Sequence, residues 1–235
     1  MHSSSANIHK PLLSQEGCSP DSSQIDLTSG RRFHPENVYS QQFSQEEIEC
    51  PNGDLVYLAC PGSKERCRGC GIIADSFHAD CLIIAIDGAC SNNGKDEARS
   101  SIGVFHGYDN DLNLSRTLDG FDRHTNQIAE LEACLAALIA AIRIQTEWSQ
   151  AGDLLDAIVI KSDSEYVVRG LTEWLPKWKG NGWKNAKGLP VANSDQFKKI
   201  ELLIDYLERY ISVKFWIVPR EQNKMADSLA KAALK

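Results

Sequence analysis

The chain of 235 residues lacks any apolar run near the roughly 20 residues that a membrane-spanning helix needs, so no membrane segment is expected. The opening "MHSSSANIHKPLLSQEG" has no apolar core of the kind a secretory signal carries. It is Ser-rich but poor in Arg, which offers a mitochondrial transit peptide little support. An intracellular location is expected, nucleus or cytoplasm, with the mitochondrion left open. Without a secretory route, the eight cysteines read as thiols or metal ligands rather than disulfides. Positive charge is also short, with a formal net charge of −7. That total argues only weakly against a nucleic-acid partner, because binding follows the local field.

Hydrophobic periodicity is missing from residues 1–45, which are rich in Ser, Gln, Pro and His and read as a disordered tail. Residues 46–79 hold Cys50, Cys60, Cys67 and Cys70 and read as a small cysteine-containing unit. Residues 80–235 carry the pattern of an α/β domain. Strands are expected at 82–89, 101–107 and 112–118. A helix follows over 124–148, with Ile128, Leu131, Leu135, Leu138 and Ile142 recurring every three or four residues. Thr125 and Asn126 suit its N-cap. Then come a strand at 157–163, a helical segment at 164–174, a basic loop at 177–193, a helix at 194–210, a strand at 212–219 and a last helix at 224–234. Three successive strands followed by alternating helices and strands imply a mixed sheet with helices on its faces.

Two of these strands end on an acid, Asp87 after "LIIAI" and Asp163 after "IVIKS". Ligands of open α/β sheets gather at the carboxyl ends of strands. Glu130 is expected in the first turn of the long helix, and Asp227 near the start of the last. Singly, such residues serve turns or helix dipoles. Together at one sheet edge, four carboxylates need a counter-charge. Divalent metal supplies it, and two Mg²⁺ ions about 4 Å apart suit displacement at phosphorus.

The segments "IDGACSNNG", "RHTNQIAELEA", "KSDSEYVVRGLTEWLPKWKGNGWK" and "NKMADSLA" resemble, in order, the successive motifs of type 1 ribonuclease H, in its eukaryotic form. The resemblance covers about residues 82–234. It implies a five-stranded mixed sheet flanked by helices, the ribonuclease H-like fold. It implies an endonuclease that hydrolyses the RNA strand of RNA–DNA hybrids with two Mg²⁺ ions, Mn²⁺ able to substitute. The products would carry a 3′-hydroxyl and a 5′-phosphate. The metal-binding acids carry over to Asp87, Glu130, Asp163 and Asp227. Asn93, Asn126 and Gln127 match minor-groove positions that meet RNA 2′-hydroxyls. Arg123, Thr125 and Asn193 match a pocket for a DNA phosphate.

From Trp174 to Lys187 there are four lysines, three tryptophans and no acid. Lysines attract phosphates and aromatic faces pack on sugars or bases. Trp178 and Lys179 are therefore expected at the DNA strand, Trp174 partly in the core, and Tyr166 along the same channel. The family's loop histidine before the last acid is absent, since no His lies between Tyr210 and the C-terminus. Arg220 is the nearest substitute, able to bind phosphate but not to shuttle protons near neutrality. The hybrid-binding domain of many eukaryotic relatives is not recognisable. In its place, Cys67 and Cys70 in "CRGC", with Cys50 and Cys60, could form a structural zinc site. Two other readings stand beside the nuclease. One is a module of the same fold that grips nucleic acid without cutting. The other is a proofreading-type exonuclease, whose first-strand Asp-x-Glu is absent from Asp87-Gly88-Ala89. A monomer that takes hybrid and no membrane is expected.

Overall fold

The computed structural model describes residues 30–39, 44–61 and 77–235. Its strands are β1 (Glu49–Asn52), β2 (Leu55–Ala59), β3 (Phe77–Ser91), β4 (Arg99–Phe105), β5 (Leu114–Thr117), β6 (Ala157–Ser162) and β7 (Ser212–Ile217). Its helices are α1 (Pro35–Val38), α2 (Asn126–Ala151), α3 (Glu165–Arg169), α4 (Leu175–Asn181), α5 (Ser194–Leu207) and α6 (Lys224–Ala232). The five strands expected from the motifs are all present. The sheet has seven because a hairpin, β1–β2, is added to it. Among the described residues, no helix is long and apolar enough to cross a membrane.

β3 organises the sheet. Its run of β-branched residues favours extended backbone, and side chains alternate between faces. Leu82, Ile84 and Ile86 enter one core, while Cys81, Ile83 and Ala85 enter another on the opposite face. β6 pairs parallel with β3 from Cys81↔Ala157 to Ala85↔Lys161, and β7 continues parallel from β6. β4 runs antiparallel along the other edge, from Ala85↔Phe105 to Ser91↔Arg99. β2 occupies that same edge farther back, opposite Phe77, His78 and Leu82, and the Val56 N–H donates to His106 O at 3.0 Å.

α2 covers the first face. Ala129, Ala133, Ala137 and Ala141 stand four residues apart and are all fully buried. Small side chains at that spacing let the helix lie close to the strands. Thr125 is the N-cap as expected, its Oγ1 accepting from the Ile128 N–H at 3.2 Å. Gly152, at φ 82°, ends the helix in the left-handed conformation that glycine adopts without steric cost.

The opposite face corrects the sequence reading. α6 roofs part of it, and residues ahead of the expected catalytic domain roof the rest. Phe33, Tyr39, Ile48, Val56 and Leu58 are buried there against Ile83, Val159 and Trp216. Residues 30–39 were expected in a disordered tail, yet Phe33 is 3% exposed and its ring meets Trp216 edge-on at 5.5 Å. The unit expected over 46–79 contributes β1 and β2 to the same sheet. Its Glu49 accepts two bonds from buried Lys161, at 2.6 and 2.7 Å, and the same ammonium donates to Gln222 O at 3.1 Å. Cys67 and Cys70 lie outside the described residues. Cys50 is half-buried and Cys60 buried.

Helical structure also extends farther than expected. After α3 the chain makes a π-turn over Gly170–Trp174 and continues as α4 to Asn181. The first part of the expected basic loop is therefore helix. α5 stops at Leu207 rather than 210.

Candidate active site

Asp87 lies on β3, one residue before the place where α2 crosses the sheet. Gly88 makes that crossing possible. A Cβ at Gly88 would overlap the backbone of Ala129 and Glu130 and lie 2.7 Å from Glu130 Cα. Gly103, the β4 partner of Asp87, does the same for α6. A Cβ there would overlap Ala226 O and lie 2.5 Å from Ala230 N. Two glycines beside one acid thus admit two helices, one bringing Glu130 and the other Asp227. Glu130 is one turn into α2 rather than in its first turn, because the helix begins at Asn126. Asp163 follows directly after β6, parallel to β3.

Two of the carboxyls, Asp87 and Glu130, feel the negative charge of other acids in this set. Burial first, and then the charges of Asp163 and Asp227, push the Asp87 carboxyl up to about 7. Burial, with Asp87 and Asp163, holds Glu130 well above the usual carboxylate range. The Gly88 N–H offsets part of this at both groups. Asp227 shifts oppositely. Burial raises it, but Lys231 and Arg220 donate to its two oxygens, each at 2.7 Å, and hold it below its ordinary value. Asp163 Oδ1 accepts from Asn223 Nδ2 at 2.8 Å, and the same amide donates to Ile86 O at 2.8 Å.

Sequence reasoning missed Asn223, which is 1% exposed. The signal was present in "REQNKMAD": an amide four residues before the last acid. Arg220 was expected near phosphate. Its guanidinium is bonded to Asp227 and lowers the pKa of Asp87 and Glu130.

Among the described residues, no group of three or more His, Cys, Asp or Glu is arranged as a metal cage. The donor set nonetheless fits a hard cation. Glu130 Oε2 is buried with no hydrogen-bond partner, and an uncompensated carboxylate oxygen in that position asks for positive charge. Oxygen ligands of this kind suit Mg²⁺.

The flanking residues fall into two groups. Asn93 sits in a turn between Asn92 (φ 52°) and Gly94 (φ 80°), and its Oδ1 accepts from the Asn126 N–H at 3.4 Å. Asn126 and Gln127 are exposed at the start of α2, beside Thr125 and exposed Arg123. Asn193, at φ 55°, precedes α5 and donates to the Tyr166 hydroxyl at 3.1 Å. Trp178 is half-buried, with its ring centroid 5.0 Å from that of Phe197, 5.8 Å from Trp174 and 6.2 Å from Trp183. Lys179 is bonded to Glu201 at 2.6 Å. Lys177, Lys184 and Lys187 show no acidic partner among the described residues.

A family model, RNase H, matches residues 79–235. The chain belongs to the RNase H family. The resemblance read from the four motifs is borne out, and with it the ribonuclease class of the enzyme. Ribonuclease H1 of Mus musculus is 31% identical over 224 residues, covering 91% of this chain and 73% of that protein. The ribonuclease H of Schizosaccharomyces pombe is 30% identical over 234 residues, covering 98% and 76%. Against ribonuclease H1 of Homo sapiens, at 32% identity, the RNase H match spans 68% of this chain and about half, 52%, of that protein. Among solved structures, the chain is similar to RNase H1 of Halobacterium salinarum at 24% identity, over 66% of this chain and 97% of that one, with a TM-score of 0.42.

Proposed function

We propose that the chain hydrolyses the RNA strand of RNA–DNA hybrids at a two-cation centre held by Asp87, Glu130, Asp163 and Asp227. The observations that support this reading are the close approach of α2 to Gly88 and of α6 to Gly103, which puts the backbone before Glu130 and Asp227 beside Asp87, and the buried, unpartnered Glu130 Oε2. Asp87, Glu130, Asp163 and Asp227 would hold the cations, which would supply an activated water and charge stabilisation for a leaving 3′-oxygen, so that the products would be a 3′-hydroxyl and a 5′-phosphate.

The chain's own residues prepare that chemistry. Asn223 fixes the orientation of Asp163 and ties it to the backbone just before Asp87. The Asp87 carboxyl, raised to about 7, is partly protonated near neutrality without a cation, so cation binding there would release a proton. Arg220 and Lys231 balance Asp227 until then. Arg220 is 65% exposed in its side chain and within reach of a phosphate at the same edge. Asn93, Asn126 and Gln127 form one polar row that can both donate to and accept from 2′-hydroxyls, which is how RNA is told from DNA. Arg123, Thr125 and Asn193, the last steadied by Tyr166, hold a phosphate of the DNA strand. α4 lies beyond them with Trp178 and its lysines along that strand.

The test is incubation with end-labelled hybrid, RNA duplex and DNA duplex, in Mg²⁺ and then with chelator. Cleavage of RNA in hybrid alone, abolished by chelator, is expected. Tight hybrid binding without cleavage would favour the non-cutting module instead.

A further inference from the structure

α4 is tied to a part of the chain that the family match does not include. Lys179 Nζ donates to one oxygen of Glu201 on α5 at 2.6 Å, and the other oxygen accepts from Arg31 at 2.6 Å. Glu201 is 6% exposed, so its charge has to be matched in place. Arg31 also grips Glu208 with two bonds, 2.9 and 2.7 Å long, and reaches Asp205 at 3.4 Å. One guanidinium thus faces three acids on one side of α5. Only a planar fork with several donors can do that.

The neighbouring residues hold Arg31 there. The Phe33 N–H donates to Phe215 O at 2.9 Å, and the Phe215 N–H donates to Arg31 O at 2.8 Å. Lys214 Nζ donates to Gly30 O. This short strap pairs with the outer edge of β7, and buried Phe33 anchors it. Arg32 bonds Glu173 at 2.9 Å, and Glu173 in turn bonds Arg169 at 3.1 Å. The strap therefore reaches both ends of the π-turn and helix that carry the basic patch.

We propose that Arg31 is a positioning residue for nucleic-acid binding by α4. It neutralises the acids behind the helix, so that the face with Lys177, Lys179, Lys184 and Lys187 stays electropositive. The inference rests on the reading that α4 meets the DNA strand. Without Arg31, Lys179 is the one cation among the described residues still bonded to any of the three carboxylates, and an incoming phosphate meets their field. At contact distances near the Debye length, one lost charge acting on two or three phosphates weakens binding roughly three- to tenfold, and less as salt rises. The carboxylates at Asp87 and its neighbours are untouched, so the loss falls on KM and not on kcat.

The experiment is steady-state cleavage of hybrid by wild type and variants at low and high salt, with hybrid binding followed by fluorescence anisotropy. Arg31→Ala should raise KM roughly three- to tenfold at low salt, with kcat within about twofold and the gap closing at high salt. Arg31→Lys should recover part of it. Adding Glu201→Gln to Arg31→Ala should restore KM, because the local charge returns to its wild-type value. Glu201→Gln alone should lower KM by releasing Lys179. Unchanged KM for Arg31→Ala overturns the inference, as does a rise that salt does not reduce and Glu201→Gln does not suppress. If circular dichroism shows that Arg31→Ala is unfolded, Glu201→Gln decides: unchanged or higher KM overturns the inference. Wild type reports separately on the function. If it binds hybrid without cutting it, anisotropy with the same variants still tests Arg31.

Discussion

Replacing Gly88 with Ala adds one methyl group, and its consequences follow from the crossing of α2 over β3. The new Cβ would stand 2.7 Å from Glu130 Cα, with closer overlaps on the Ala129 and Glu130 backbone. Carbon atoms pack at about 3.5–4.0 Å, so the first turns of α2 must retreat by roughly 1 Å. Backbone cannot rotate away as a side chain can. Overpacking of this kind costs about 1–3 kcal/mol, and the buried alanine stripe behind Glu130 resists the movement. The same retreat carries the Glu130 carboxylate away from Asp87. Misplacement by about 1 Å at a reacting centre can lower the rate by about 10²-fold. Gly88→Ala should therefore unfold at lower temperature by calorimetry and cleave hybrid about a hundredfold more slowly, with hybrid affinity retained. Wild-type melting and turnover together would refute the argument that Gly88 sets the distance between β3 and α2.

Three further outcomes are expected. Asn223→Ala leaves Asp163 Oδ1 and Ile86 O without their donor, and should cost about 1–3 kcal/mol in denaturant unfolding together with a fall in kcat; unchanged stability would show that the amide is dispensable. Arg220→Ala removes a charge-assisted contact worth about 1.5–3 kcal/mol at most, a rate loss of roughly 10- to 150-fold; a wild-type rate from about pH 6 to 9 would leave Arg220 a surface charge. His106 is buried and its pKa is lowered by that burial from 6.5 to about 4. Between those values the unfolded chain takes up a proton that the folded chain refuses, so stability falls as pH drops through the window, by about 3 kcal/mol at most. Asp87, raised from 3.8 to about 7, contributes the opposite slope, so the comparison is between wild type and His106→Gln. An identical pH dependence of the two would contradict the assignment to His106.

Much of the site was legible because its residues lie in locally patterned elements. Asp87 ends a run of buried β-branched residues, and Glu130 falls within the periodic α2. The length of α4 was harder to read. Lysines and glycines in "KWKGNGW" have the composition of a loop, but Trp178 packs on Phe197 and the helix is held by that contact. The hairpin had a visible signal in Asn52-Gly53, flanked by "EC" and "LVYLA", although the cysteines drew the reading toward a separate unit. The strap at 30–33 carried no local signal. Arg31 meets partners 170 to 177 positions away, and only the folded edge of β7 brings them together. Lys231 pairs with Asp227 one helical turn away, a spacing the sequence does display, whereas the bonds of Asn223 to Asp163 and to Ile86 O join positions 60 and 137 apart and come only with the fold.

The central claim is that the four carboxylates act as one cation-binding centre for RNA hydrolysis. Asp163→Asn tests it most directly, because the amide keeps the side chain's shape and removes its charge. In Mg²⁺, single-turnover cleavage of end-labelled hybrid should be nearly abolished, while the melting temperature and hybrid affinity stay close to wild type. Undiminished cleavage by Asp163→Asn would contradict the account.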